Sequence, residues 1–435
     1  MTLTLRFVCI LAAAAVLIGF SGRFPPLAAA GFALIAFDVA FAALDWRLLG
    51  RRRLVVARGC DDKLSLGVRN LVRLTVRNPC GVRVSGRVRD EYPEGFGCDA
   101  NEQPIHLPPM SEQDLGYHVT PRRRGDFEFG DIYVRIDGPL GLVTRQIRYA
   151  ARRQVKVYPN LLDIRRYEIE LRRGRLLPAG ARAARVRGRG TDFESLRDYV
   201  PDDEFRAVDW KATARRGKLT TRQYQEEKSQ NIAVVLDCGR VMGPVIADLT
   251  RLDHSINAAV MLARVAAQKG DKVGLMAFAE DVFAYLPPRA GKSQVLNVLR
   301  LTYNLREASG DSDYSRAVRL LGRKWTRRSL MVFFTDLVHP DSSAPLITQI
   351  ASLARKHLCL VVSISDPAVL HAARGPFASA DDVFRAAAAR QVLGARRQAA
   401  ACLARFGVMV LQVPPDRLAS SVVDEYLNLK SRGLL

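Results

Sequence analysis

Hydrophobic and polar positions divide the chain into four stretches with different periods. Phe7 to Phe20 is apolar apart from small residues, Ser21 to Pro26 is a turn, and Leu27 to Leu49 is apolar again. Each limb approaches the ~20 residues that a bilayer span needs, so residues 1–50 are expected to form a transmembrane helical hairpin. Residues 54–160 alternate with period two in Leu64–Leu66, Leu71–Arg77, Val82–Val88, Asp126–Gly130, Ile132–Ile136 and Val155–Val157, punctuated by Asn, Pro and Gly. That pattern predicts a small antiparallel, sandwich-like β domain.

Residues 161–230 form a third stretch, a basic connector followed by a charged segment. Leu161 to Arg189 reads as helical and ends in a Gly- and Arg-rich loop. In Asp192–Arg216, Pro201 suits a first helical turn, and Asp202, Asp203 and Glu204 lie at the positive end of the predicted helix. Lys211, Arg215 and Arg216 lie at its negative end before Gly217. Phe205, Val208 and Ala212 then share one face, Asp202 lies one turn from Arg206, and Trp210 is read as packing across the domain, with a partner anchor as the alternative. In residues 231–435 buried apolar runs alternate with helical periods. Strands are expected at Ile232–Leu236, Lys272–Phe278, Leu330–Phe334, Leu358–Ile364 and Val408–Val413. The helices fall near 249–268, 293–305, 314–324, 381–406 and 416–431. This predicts a doubly wound, largely parallel α/β sheet, whose ligands bind beyond the carboxyl ends of the strands.

Charge refines this picture. The net charge is +22, and residues 51–190 hold 29 Lys and Arg against 16 Asp and Glu, a surplus of 13. Basic residues beside a membrane fit anionic lipid. Nucleic acid is disfavoured, because the arginines of Arg182–Arg189 are interleaved with Ala and Gly rather than with stacking aromatics. Arg47 and Arg51–Arg53 follow the second span, which places the large C-terminal part in the cytoplasm. Asp38 falls inside that span, so it is expected to face the other helix or be protonated, with Arg6 within reach. A cleaved secretory signal is the competing reading, but Pro25 and Pro26 separate its apolar core from Ala28–Ala30, and the second span would go unexplained. Seven dispersed cysteines without a C-x-x-C pair fit reduced thiols and argue against structural zinc. Ala290-Gly-Lys-Ser293 imitates a P-loop end, but Leu286 stands where its first glycine belongs.

The order Leu196-Arg-Asp-Tyr-Val-Pro201, Asp203, Arg206, Asp209-Trp-Lys211, Ala214-Arg215 closely resembles the signature of the bacterial domain-of-unknown-function 58 family. Pro121–Gly130, Gly138–Leu142, Val157-Tyr-Pro159, Gly270–Leu275 and Ser365-Asp-Pro367 extend the resemblance. It implies a multi-pass protein of the bacterial inner membrane with a von Willebrand factor A-like domain. It also implies partnership with a MoxR-type AAA ATPase in maturing or assembling an unknown client complex, and no established catalysis. The metal-ion-dependent adhesion site of such a domain has D-x-S-x-S, a later Thr and a final Asp. Here Asp237-Cys-Gly-Arg-Val241 lacks both serines, Ser312 stands for the Thr, and Asp336 is the last acid. A divalent cation is therefore not expected at this degenerate site of Asp237, Ser312 and Asp336, since magnesium demands near-octahedral oxygen ligation. Asp237, Arg240, Ser312 and Asp336 are the candidate binding edge, and Asp203, Arg206, Asp209, Trp210 and Lys211 the candidate signature surface. The reading is a non-enzymatic interaction scaffold without cofactor. Its rivals are a hydrolase using the carboxylate edge and an exported metal-dependent adhesin-like binder.

Overall fold

A computed structural model describes residues 2–22, 24–50, 52–160, 192–201, 205, 208–225, 229–337, 340–375 and 379–435. The predicted connector at 161–189, together with Asp203 and Arg206, lies outside the described residues. The chain divides into two compact units, Met1–Tyr158 and Pro159–Leu435.

The first unit opens with helices Leu5–Gly19 and Pro26–Gly50, both rich in Ala and Leu. Two helical segments, Leu5–Gly22 and Pro26–Gly50, are long and apolar enough to cross a membrane. Gly31 lets them pack closely, since a Cβ there would stand 2.5 Å from Ile18 Cγ1. Asp38 is buried, and its carboxyl has no hydrogen-bond partner among the described residues. The expected help from Arg6 is absent, because the Arg6 guanidinium lies beside Gly141 instead. Asp45 is the acid that finds partners: its carboxylate accepts from the backbone N–H groups of Leu140 (3.0 Å), Leu142 (3.0 Å) and Val143 (3.2 Å). A side chain at Gly138 would collide with that carboxylate. The Gly138–Leu142 turn thus seats the second helix against the β region.

That region has three sheets. Thr2–Leu3, Val143–Tyr149, Ile132–Asp137, Val84–Asp90 and Glu102–Leu107 form one; Val55–Gly59, Asn70–Asn78, Ser111–Pro121 and Phe96–Cys98 form another. Lys63–Ser65, Arg153–Tyr158 and Gly125–Phe129 form the third, where the first pair is parallel and the remaining pairing antiparallel. Period-two burial sets the register: Val72, Leu74 and Val76 point inward from Asn70–Asn78, while Arg73 and Arg77 point out. One buried ion pair ties the sheets. Asp90 accepts from Arg58 Nε (2.9 Å) and Tyr117 Oη (2.6 Å), and Arg58 also donates to the carbonyls of Ala151 and Gly130. Burial and the Asp90 charge push the Tyr117 hydroxyl far above its ordinary range, which keeps it a donor.

The second unit is built on a six-stranded sheet in the order Val282–Arg289, Lys272–Phe278, Asn231–Asp237, Leu330–Phe334, Leu358–Ile364, Met409–Val413. All neighbours are parallel except the first pair. Its central strands read as unbroken apolar runs because helices cover both faces. Helices Arg251–Gln268 and Leu418–Ser431 pack on Ile232, Val234 and Leu236, whereas Tyr314–Lys324 and Ala380–Arg405 pack on Ala233, Val235 and Phe333. The edge strand Val282–Arg289 and the helices Pro340–Ala354 and Pro367–Arg374 are among the elements that escaped the sequence reading.

The signature segment corrects the expected helix. Asp192–Asp198, ahead of the expected helix, is a strand paired antiparallel with Thr220–Gln225, and Val208, inside the expected helix, instead bridges to Thr221. Among the described residues of this segment the α-helix is Trp210–Arg216. Asp209 caps it by accepting from the N–H groups of Lys211 and Ala212, both at 3.0 Å, and Gly217 ends it at φ 66°. Asp209 thus supplies the cap of this helix, and the acids Asp202, Asp203 and Glu204 lie outside the described residues.

Candidate functional site

The carboxyl end of the six-stranded sheet brings together residues from four segments. Asp237 closes Asn231–Asp237 and is buried. The loop before Tyr314–Lys324 is held over it by backbone bonds from Arg240 N to Gly310 O (3.0 Å) and Ala308 N to Cys238 O (2.7 Å). Asp313 N–H donates to Ala279 O, while the Asp313 carboxylate caps the following helix through Arg316 N. Those contacts deliver Ser312 and Tyr314 to the same carboxylate.

Asp237 is saturated by donors of the protein itself. Oδ1 accepts from the Gly239 N–H at 2.8 Å and from the Ser312 hydroxyl; Oδ2 accepts from Tyr314 Oη and Thr335 Oγ1, each at 2.6 Å. Burial, reinforced by the Asp237 charge, pushes the Tyr314 hydroxyl well above its usual range, so it remains a donor near neutral pH. Position 239 is glycine for a steric reason: a Cβ there would run into Ser312 Oγ.

Asp336 is equally committed, but to cations. Its Oδ2 lies 2.5 Å from Arg251 Nη1 and 2.7 Å from Arg396 Nη2, and its Oδ1 accepts from Ser363 Oγ at 2.9 Å. Both guanidiniums are largely buried, and Arg396 also donates to the Ile364 carbonyl at 3.3 Å. Arg240, expected beside Asp237, instead forms an exposed pair with Asp311 at 2.5 Å. The arrangement thus brings Asp237 and Ser312 together, holds Asp336 within a separate arginine clamp, and leaves Arg240 on the surface. Tyr314, Thr335, Arg251 and Arg396 were missed as functional candidates. The first two stand within two residues of the candidates Ser312 and Asp336; the two arginines carry no local signal.

As a holder of a divalent ion, this donor set fits poorly. Magnesium needs free anionic oxygens in near-octahedral array, yet each Asp237 oxygen already accepts two hydrogen bonds and two guanidiniums flank Asp336. Among the described residues no group of three His, Cys, Asp or Glu side chains is placed to hold a metal ion.

The signature surface is a second candidate. Trp210 is 59% exposed and Phe205 62%, and their rings stack edge to face with centroids 5.5 Å apart. Val200 and Leu219 are also exposed. The expected burial of Trp210 therefore fails: the chain spanning 208–209 bonds to Thr220 and Thr221, leaving the first turn of the short helix outside the core. Asp209 serves as a cap and Lys211 is exposed.

The model of the family described as "Protein of unknown function DUF58" matches residues 195–374. An uncharacterized protein of Mycobacterium tuberculosis strain H37Rv is 23% identical over 184 residues, 42% of this chain and 57% of that protein. The uncharacterized protein YeaD of Bacillus subtilis strain 168 is 27% identical over 123 residues, 28% of this chain and 30% of that one. The chain thus spans little more than half the length of the mycobacterial relative. Among solved structures, the conserved hypothetical protein BatB of Bacteroides thetaiotaomicron aligns with TM-score 0.34 and 16% identity, covering 47% of this chain and all of that one. A CARDB domain from Pyrococcus furiosus aligns with TM-score 0.19 and 21% identity, over 24% of this chain and 93% of that one. Over residues 195–374 the chain thus matches the DUF58 family of proteins of unknown function.

Proposed function

We propose that this is a membrane-anchored, cytoplasm-facing interaction scaffold whose α/β unit is von Willebrand factor A-like and works with a MoxR-type AAA ATPase in assembling another protein complex. The observation that carries the reading is the exposed, stacked pair Phe205 and Trp210 within the family signature. Tryptophan is a common anchor at protein interfaces, and here its exposed indole is held in place by the Phe205 ring. The saturated Asp237 and the clamped Asp336 favour a structural, metal-free edge over the two rival readings. A hydrolase needs a carboxylate free to take a proton, and an adhesin-like binder needs one free to hold a cation.

The test is Trp210→Ala in the full chain solubilised in detergent. The expected result is an unchanged denaturation midpoint together with loss of co-purifying MoxR-type ATPase. A midpoint lowered in proportion to a buried tryptophan, about 3–5 kcal/mol, would return Trp210 to the core. Undiminished co-purification would move the working surface away from the signature.

A further inference from the structure

The five-stranded sheet of the first unit carries an unusual outer face. Its strands place Arg135 directly opposite Arg87, and Tyr133 opposite Arg89, on the adjacent strands Ile132–Asp137 and Val84–Asp90. Two like charges facing each other across neighbouring strands destabilise a sheet unless something anionic lies between them. What the protein supplies is incomplete. Arg87 reaches Glu102 only at 3.8 Å, Arg135 bonds the neutral Gln146 at 3.1 Å, and Arg89 has no ion pair among the described residues. Glu91, on the same rim, turns its Oε2 to the Asp131 N–H at 3.1 Å. Between these side chains lies an open cavity of about 390 Å³.

The position of the cavity names its occupant. Where the second apolar helix ends, Arg145 Nη1 donates to Gly50 O (3.4 Å), Arg52 Nη1 to Asp137 O (3.5 Å), and Asp45 holds the Leu140–Val143 backbone. Arg135 is two residues from Asp137 along an extended strand, about 7 Å at ~3.3 Å per residue. The polar headgroup layer on each side of a bilayer is roughly 5–7 Å deep. The arginine pair accordingly stands at headgroup distance from the helix exit.

We infer that Arg87, Arg89 and Arg135, with the Tyr133 hydroxyl, form a binding site for the phosphate diester of an anionic lipid headgroup. This rests on the reading of the helical hairpin as a membrane anchor. The phosphate lies between the opposed guanidiniums, whose planar N–H groups match its oxygens in paired hydrogen bonds. The strand register thus turns a general basic surplus into one addressed site, and the headgroup offsets the repulsion that the bare sheet carries.

The test uses the full chain in detergent, exposed to phosphatidylglycerol or phosphatidylcholine and weighed by native mass spectrometry. The wild-type chain is expected to retain phosphatidylglycerol preferentially. Arg87→Gln/Arg135→Gln should weaken that retention roughly thirtyfold, from about fivefold per arginine near an anionic surface. The charge-matched control Arg73→Gln/Arg77→Gln, exposed on strand Asn70–Asn78, should retain the lipid as the wild type does. Equal retention by the two double variants overturns the site. Millimolar glycerol 3-phosphate tests the soluble source: its binding without any preference for phosphatidylglycerol also overturns the lipid assignment. Anchoring is read separately by alkaline extraction of membranes. Release of the wild-type chain overturns the anchor, whereas absence of the lipid preference in a chain that stays embedded overturns the headgroup site alone.

Discussion

Asp336→Asn should be among the most damaging single changes in the second unit. The substitution keeps the shape of the side chain but removes the one negative charge that Arg251 and Arg396 share, at 2.5 and 2.7 Å. Breaking a buried ion pair from one side costs about 3–5 kcal/mol, because the partner is left charged in a poorly solvated place. Here two guanidiniums are left so, and each already has a buried Nε without a hydrogen-bond partner among the described residues. Arg396→Met should be milder, about 2 kcal/mol, since Asp336 keeps Arg251 and the Ser363 hydroxyl at 2.9 Å. Arg251→Met/Arg396→Met should exceed either single arginine change, because the carboxylate then retains only a hydroxyl. Urea denaturation of the full chain in detergent, followed by tryptophan fluorescence, gives the order; Trp325 is buried beside this sheet and reports on its unfolding. Asp336→Asn within about 1 kcal/mol of wild type, or milder than Arg396→Met, would refute the clamp as a stabilising unit.

Other consequences are open to simple measurement. Thermal melts of the full chain in millimolar magnesium and in chelator should coincide, since a ligand selective for the fold adds about 2.7 kcal/mol at a hundredfold excess over its Kd; a magnesium-dependent rise that disappears in Asp237→Ala would show a working cation site. The backbone N–H of His118, with further bonds from Arg69 and the His118 ring, holds the Asp99 carboxyl down to about 2. Because that folded value lies below the ordinary 3.8, the stabilisation is present above about pH 4 and is lost as pH falls toward 2. The stability difference between wild type and Asp99→Asn should therefore shrink over that window, and a constant difference would count against the linkage. Burial pushes the Cys359 thiol up to about 12, so maleimide at pH 8 should spare Cys359 in the native protein and modify it once denaturant is added. Prompt labelling of Cys359 in the native protein would mean that the strand Leu358–Ile364 opens readily.

Local pattern determined much of this molecule. The apolar runs ending at Asp237 and just before Asp336 are strands because parallel strands covered on both faces must be apolar throughout, and that requirement is written in consecutive residues. Alternation in Asn70–Asn78 and the two long apolar helices are legible for the same reason: burial repeats at the period of the element that carries it. What lies at the strand ends was decided by long-range packing. Arg251 and Arg396 meet Asp336 only because their helices cover opposite faces of the sheet, and no periodicity relates those three positions. Asp192–Asp198 reads as an ordinary charged segment until Thr220–Gln225 returns to pair with it, and that pairing moves the helix start to Trp210. Val282–Arg289 hides behind Pro287 and Pro288, which an edge strand tolerates and a central one does not. The opposed arginines on the first unit's sheet are single letters in two runs of alternating residues. Their meaning depends on register, and register depends on which strands the fold brings side by side.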